Sequence, residues 1–203
     1  MAGTLDIAGF AAAVLLIELT PGPNMAWLAG LAATEGKRSG LSAVAGVALG
    51  LLANGILAAL GLATLLTAMP ALLHGLRVAG AAMMVWLAIE AWRGAEKAPP
   101  PTAATRRAFA TGALLNLLNP KAYLFFVVVA PEFLGGRTLG LTEALTLALV
   151  STAIATAIHL AIVLAGSHAQ AWLADPARTR WVRRGFAVVM LGVAASFLAI
   201  KTG

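Results

Sequence analysis

Hydrophobic residues run through this chain in six long blocks, separated by short polar stretches. A helix that crosses the hydrocarbon core of a bilayer needs about 20 mostly apolar residues. Spans of that kind are predicted over Leu5–Leu31, Leu41–Thr64, Pro70–Trp92, Ala108–Phe133, Leu141–Gly166 and Val182–Ile200. Between the third and fourth blocks, residues 93–107 (RGAEKAPPPTAATRR) are polar and Pro-rich, and read as a linker between two three-helix halves, 1–92 and 108–203. The pattern predicts an all-α integral membrane protein, a single polytopic domain over 1–203.

Two blocks are interrupted from within. Pro21-Gly22-Pro23-Asn24 lies inside the first, and Asn119-Pro120-Lys121 inside the fourth. Proline removes a backbone donor and clashes with the preceding turn, so each motif should break its helix. Backbone groups freed at membrane depth are tolerable only where they are buried in protein or face a watery cavity. A break at the corresponding place in each half is the sequence pointer to a transport site.

Composition narrows the class. Charged residues are 11% of the chain and hydrophobic ones 61%, with a mean hydropathy of +0.91, whereas soluble domains carry roughly 25% charged residues. The net charge of +6 does not point to nucleic acid, because the basic residues sit between apolar blocks rather than along one soluble face. Lys37, Arg38, Arg93, Lys97, Arg106, Arg107, Arg178, Arg180, Arg183 and Arg184 follow odd-numbered spans, against Arg77, Arg137 and Lys201 on the other side. The positive-inside rule then puts the linker in the cytoplasm and both termini outside. Three spans per half make the two halves inverted repeats, each with its first helix broken at proline. Met1 to Phe10 has no basic, cleavable leader, so the first block is expected to stay as a span. The chain has no Cys, which removes disulfides and thiolate metal sites.

Ionisable side chains inside a span are costly and therefore functional candidates. Glu18, three residues before Pro21, is suited to staying protonated, pairing with a cation or binding a substrate ammonium group; the plainer reading is a hydrated carboxyl near an interface. Lys121 is a point charge suited to a carboxylate, or else a snorkelling side chain. Where the helices restart after Pro23 and Pro120, unpaired amides and the helix dipole offer a carboxylate site. The Asn24, Asn116 and Asn119 amides can donate and accept, and Asn54 reads as an interhelical hydrogen bond. His159, mid-way along the fifth span near Ser151, Thr152 and Thr156, is either a proton carrier or a neutral packing histidine. Glu90 and Glu132 lie near span ends and read as hydrated. The tryptophans fall mostly near span ends, as an aromatic belt does.

Small residues crowd the second block. Gly36/Gly40 and Gly46/Gly50 have the spacing that lets helix backbones approach, either for packing or for sliding during transport. Signatures of metalloproteases, hydrolase elbows, P-loops and dinucleotide sites are missing. Ser151 and His159 are eight residues apart on one helix, roughly 12 Å along its axis, too far for a dyad. Without a P-loop, uphill movement of a solute must draw on an ion gradient or on a separate ATPase.

ELTPGPNMAWL, GKRSGLSAVAGVALG and NLLNPKAYLFFVVVAPEF, in this order along nearly the whole chain, resemble the LysE/RhtB family of amino-acid exporters. The resemblance implies a bacterial cytoplasmic-membrane permease that exports amino acids or related metabolites on the proton gradient. It implies a homodimer or other homo-oligomer, with no cofactor. Its motif residues here are Pro21, Gly22, Pro23, Asn119, Pro120 and Lys121. Pro131-Glu132-Phe133 stands where the family often has Pro-Gln-Phe. In the resulting expectation a substrate lies mid-membrane, its carboxylate on Lys121 and the amides after Pro23 or Pro120. Its ammonium lies on Glu18 and the Asn24 or Asn119 oxygen, with Glu18 or His159 carrying the coupling proton. A divalent-cation exporter of similar topology is the alternative, and only Glu18 offers a carboxylate in a span core.

Overall fold

Where the first hydrophobic block reaches its Pro-Gly-Pro motif, the helix stops and restarts. The computed structural model describes residues 4–20, 22–61, 65, 68–93, 101–119, 122, 123, 125–136, 140–169, 173 and 175–199. Among these, seven α-helices and no strands occur: α1 (Ile7–Leu19), α2 (Pro23–Glu35), α3 (Lys37–Ala59), α4 (Pro70–Arg93), α5 (Pro101–Leu117), α6 (Leu141–His168) and α7 (Pro176–Ala199). By length and composition α3, α4 and α6 can each cross a membrane, and the bent pair α1–α2 makes a fourth candidate. The second interrupted block behaves as its sequence predicts. α5 ends at Leu117, helical backbone resumes at Ala122 and Tyr123, and a π turn (Phe125–Val129) and a 3₁₀ turn (Ala130–Phe133) follow.

Local chemistry sets the ends. Asp6 caps α1 by accepting a hydrogen bond from the Gly9 amide at 2.9 Å. Proline at the first helical position, with φ already suitable, starts α2, α4, α5 and α7. α5 and α7 thus begin earlier than the hydrophobic pattern predicts, at Pro101 rather than Ala108 and at Pro176 rather than Val182. Part of the stretch read as linker is therefore helix. The Ser42 hydroxyl donates to the Thr105 carbonyl at 2.8 Å, docking this polar first part of α5 onto α3. α2 and α3 are joined by Gly36 alone, at φ 87°, a left-handed conformation that glycine adopts without strain. Gly36 is thus the turn residue between α2 and α3. Arg77, counted above by charge on the side opposite the linker, lies within α4, as the span Pro70–Trp92 predicts, and is buried.

Packing arranges the bundle in layers. α3 lies against α5 and α6, α4 against α7, and α2 against α3, α6 and α7. One apolar core takes Leu28 and Ala32 of α2, Val44 and Val47 of α3, Met84 of α4, Val163 of α6 and Met190 of α7. A second takes Phe10 and Val14 of α1, Ala58 of α3, Phe126 and Ala130 beyond the second break, and Leu147 of α6. Leu51, Ala122 and Ala155 form a small contact between these two layers. α1–α2 and α6 run from the second core to the first and α3 from the first to the second, and the helix breaks fall between the two cores. Close approach makes this possible. A Cβ on Gly46 would overlap the Phe109 carbonyl, and one on Gly50 would lie 2.7 Å from the Ala113 oxygen. The packing role of Gly46 and Gly50 is thus met inside one chain, between α3 and α5. The outer surface carries Leu16, Leu149 and Val188, each at least 60% exposed, as a lipid-facing surface permits.

Candidate transport site

α1 and α2 meet at a bend of 57°. The Thr20 amide closes α1 on the Ile17 carbonyl, and extended Gly22 begins α2 with no side-chain cap. Gly22 has no side chain with which to cap the first amides of α2. Gly22, Asn24 and Met25 face a cavity between the two cores, as do Ile17, Glu18 and Thr20 from the other side of the bend. The opposite wall comes from Asn116 and Asn119 at the end of α5, and from Ser151, Ala155 and His159 of α6. Val14, Val47, Leu51, Ala122 and Phe125 supply the apolar lining.

Hydrogen bonds tie the two breaks together. The Asn24 Nδ2 group donates to Asn116 Oδ1 at 2.9 Å. Asn54, fully buried on α3, donates its Nδ2 group to the Asn116 backbone carbonyl, also at 2.9 Å. This is the interhelical bond expected of Asn54, and it satisfies a carbonyl near the frayed end of α5. Asn24 Oδ1, Asn116 Nδ2, Ser151 Oγ and His159 Nε2 are buried without a hydrogen-bond partner among the described residues. Buried polar groups normally have partners. Their convergence on one cavity leaves acceptors and donors ready for a solute or for water.

Glu18 and His159 face each other, with 3.9 Å between Oε2 and Nε2. That is beyond hydrogen-bond length and within reach of one bridging water. The pair becomes an ion pair when the imidazole is protonated. The cavity holds about 50 Å³, room for a few waters. Phe125 of the cavity lining packs on Phe10, and Phe10 on Phe133, with ring centroids 5.4 and 5.8 Å apart. Trp27 and Leu28, the next turn of α2 after Asn24 and Met25, are buried in the first core.

Of the residues predicted from sequence, Glu18, Gly22, Asn24, Asn116, Asn119 and His159 line this one cavity, and Pro23 begins α2. Pro21, Pro120 and Lys121 lie outside the described residues. Among the described residues no three His, Cys, Asp or Glu side chains converge as metal ligands. Trp27 departs from the expected interfacial belt: it is buried in the bundle.

A second polar cluster had no sequence signal. Arg107 of α5 contacts Glu90 of α4 and donates to Glu35 of α2 at 2.6 Å. Glu90 reads from sequence as a hydrated span end, yet it is held in this bridge. Each charge lies at the end of a separate hydrophobic block, and only the packing of α2, α4 and α5 brings them together.

Comparison with known proteins gives these features a context. The chain is 36% identical over 141 residues to an uncharacterised membrane protein of Pseudomonas aeruginosa, the match spanning 65% of each chain. It is 26% identical over 184 residues to a homoserine/homoserine lactone efflux protein of Salmonella typhimurium, spanning 89% of each. It is 31% identical over 141 residues to a leucine efflux protein of Klebsiella pneumoniae, spanning 65% of each. No solved structure matches the chain. The family model for the LysE type translocators matches residues 15–201, a stretch that holds both helix breaks and the whole polar wall of the cavity. With that match over most of its length, the chain belongs to the LysE type translocator family, whose members are transporters and not enzymes.

Proposed function

We propose that this protein is a secondary active exporter of amino acids or closely related metabolites, driven by protons, with its substrate held between the two broken helices. The observation that carries this reading is the bond from Asn24 to Asn116. It joins the two interrupted motifs at a cavity where Asn24 Oδ1, Asn116 Nδ2, Ser151 Oγ and His159 Nε2 are buried without a hydrogen-bond partner among the described residues. Efflux functions named for relatives that take homoserine and leucine support the substrate class.

In this reading the six hydrophobic blocks are six spans in two inverted halves, with both termini outside and the linker in the cytoplasm. The substrate ammonium meets Glu18 and Asn24 Oδ1. Its carboxylate meets Asn116 Nδ2, the first amides of α2, and Lys121. His159 and Glu18 exchange the coupling proton. A cavity of about 50 Å³ is too small for leucine, so the bundle alternates between this narrow form and wider forms open to either side. Two copies of the chain work side by side in the inner membrane.

Counterflow in proteoliposomes tests the proposal. Vesicles are preloaded with unlabelled L-leucine or L-homoserine, and uptake of the labelled compound is followed for wild type, Glu18→Gln and Lys121→Met. Exchange that depends on both residues is expected. Exchange that survives neutralisation of both residues would overturn the site, and absence of exchange by folded protein would overturn the substrate class.

A further inference from the structure

The Arg107 cluster opens onto a second void, of about 430 Å³, within the roughly 300–1,000 Å³ typical of small-molecule sites. Its polar wall is Thr34 and Glu35 of α2, Glu90 of α4, Arg107 of α5 and Arg183 of α7, and its apolar wall includes Trp27 and Phe186. Arg107 does not saturate this wall. It bonds Glu35 through Oε1, while Glu35 Oε2 is buried without a hydrogen-bond partner among the described residues. Arg183 Nε is buried and unpartnered in the same way, and Arg183 is near enough to act electrostatically on Glu35. Glu35 and Arg183 thus line the same void, each with a buried polar atom that has no hydrogen-bond partner among the described residues. A carboxylate accepts from an ammonium group, and a guanidinium presents a donor fork to a carboxylate. Together they complement a zwitterion.

The void is aligned with the central cavity. On α2, Asn24 lines the cavity and Trp27 the void, one helical turn apart. On α5, Asn116 lines the cavity and Thr111 the void. The two compartments share both helices as walls, and Trp27 lines the void on the side of α2 nearest Asn24 in the chain. The void lies at the basic end of the bundle, beside Lys37, Arg106 and Arg184, the cytoplasmic end by the positive-inside rule.

We propose that this vestibule is an intake site for the zwitterionic head of an amino acid, with the ammonium on Glu35 and the carboxylate on Arg183, before the solute passes Trp27. The proposal rests on the exporter reading above. It makes the cytoplasmic vestibule a second binding site, distinct from the cavity between the breaks.

The absence of Cys from the chain makes the test direct. Thr34→Cys places one thiol in the vestibule wall and Ser151→Cys one in the central cavity. Each protein, in lipid nanodiscs, is labelled with a maleimide in the presence and absence of L-leucine and L-homoserine. Saturating amino acid is expected to slow labelling at Thr34→Cys roughly tenfold, as occupancy near nine-tenths requires. Added Glu35→Gln or Arg183→Gln removes that protection, and added Glu18→Gln leaves it. Glu35→Asp, with the charge on a shorter arm, keeps part of it and serves if the neutral variants do not fold. Protection at Ser151→Cys without protection at Thr34→Cys overturns the vestibule while the exporter reading stands. Vestibule protection that persists without the Glu35 and Arg183 charges overturns the assignment of those groups. No protection at either position, together with no exchange in proteoliposomes, overturns both proposals.

Discussion

Asn24 and Asn116, 92 positions apart in the chain, share a 2.9 Å side-chain hydrogen bond that holds the two helix breaks on opposite walls of one cavity. Hydrogen bonds between helices in membranes are worth about 0.6 kcal/mol on average and up to about 1.7. A double-mutant cycle with Asn24→Ala and Asn116→Ala should therefore give a coupling energy in that range, read from unfolding in mixed micelles. Strictly additive losses would mean that the bond does not join the breaks. The Asn54 bond to the Asn116 carbonyl should persist in both single variants, since it uses the backbone.

Helix contact at α3–α5 predicts a graded glycine series. Alanine at Gly46 meets the Phe109 carbonyl, at Gly50 the Ala113 oxygen 2.7 Å away, and at Gly112 the Ala43 oxygen 2.5 Å away. Backbone atoms cannot swing aside, so each substitution should cost about 1–3 kcal/mol. Gly75 in α4 has nothing within 4 Å of an added Cβ. Gly75→Ala should be neutral or stabilising by up to about 1 kcal/mol, because alanine restricts the helix backbone less favourable alternatives. Thermal unfolding of the four purified variants checks the order; similar losses at all four positions would sink the packing account.

The Glu18–His159 pair predicts a separation of exchange from drive. Glu18→Gln and His159→Gln should each reduce the acceleration of export by an imposed pH gradient by at least roughly tenfold, ~1.4 kcal/mol in the barrier. Exchange at equal pH should fall less for His159→Gln than for Glu18→Gln, since in the proposed site only Glu18 also contacts the substrate. An undiminished response to the gradient in both variants would remove the pair from coupling.

Arg107 bridges Glu35 and Glu90, but its side chain is 37% exposed, so solvent screens the interaction. Arg107→Lys, with a single point charge in place of the guanidinium fork, should lose no more than about 1 kcal/mol of stability. The loss should shrink as salt is added. A large, salt-independent loss would show that packing of the arginine stem, and not charge, secures this end.

The helix breaks themselves were legible because proline acts locally: whatever the neighbours, a residue without an amide hydrogen ends the preceding turn. Asn119 and Glu18 were legible for a related reason, since polar groups amid apolar residues need a destination. The ends of α5 and α7 were misjudged because hydrophobicity reports immersion in lipid, whereas helix starts follow caps and prolines. Arg77, counted by charge on the side opposite the linker although within the predicted third span, is buried in the helix that starts at Pro70.

The sequence by itself determined an all-helical membrane protein, the two places where its helices break, and most of the polar residues that line the cavity. These follow from period, composition and the backbone chemistry of proline, all of which act over a few residues. Only the tertiary structure decided that Asn24 bonds Asn116, that His159 meets Glu18 at 3.9 Å, and that Glu35, Glu90 and Arg107 form one cluster. Those pairings depend on which helix faces lie together. That is set by glycine-width approach distances and by two apolar cores assembled from residues far apart in the chain.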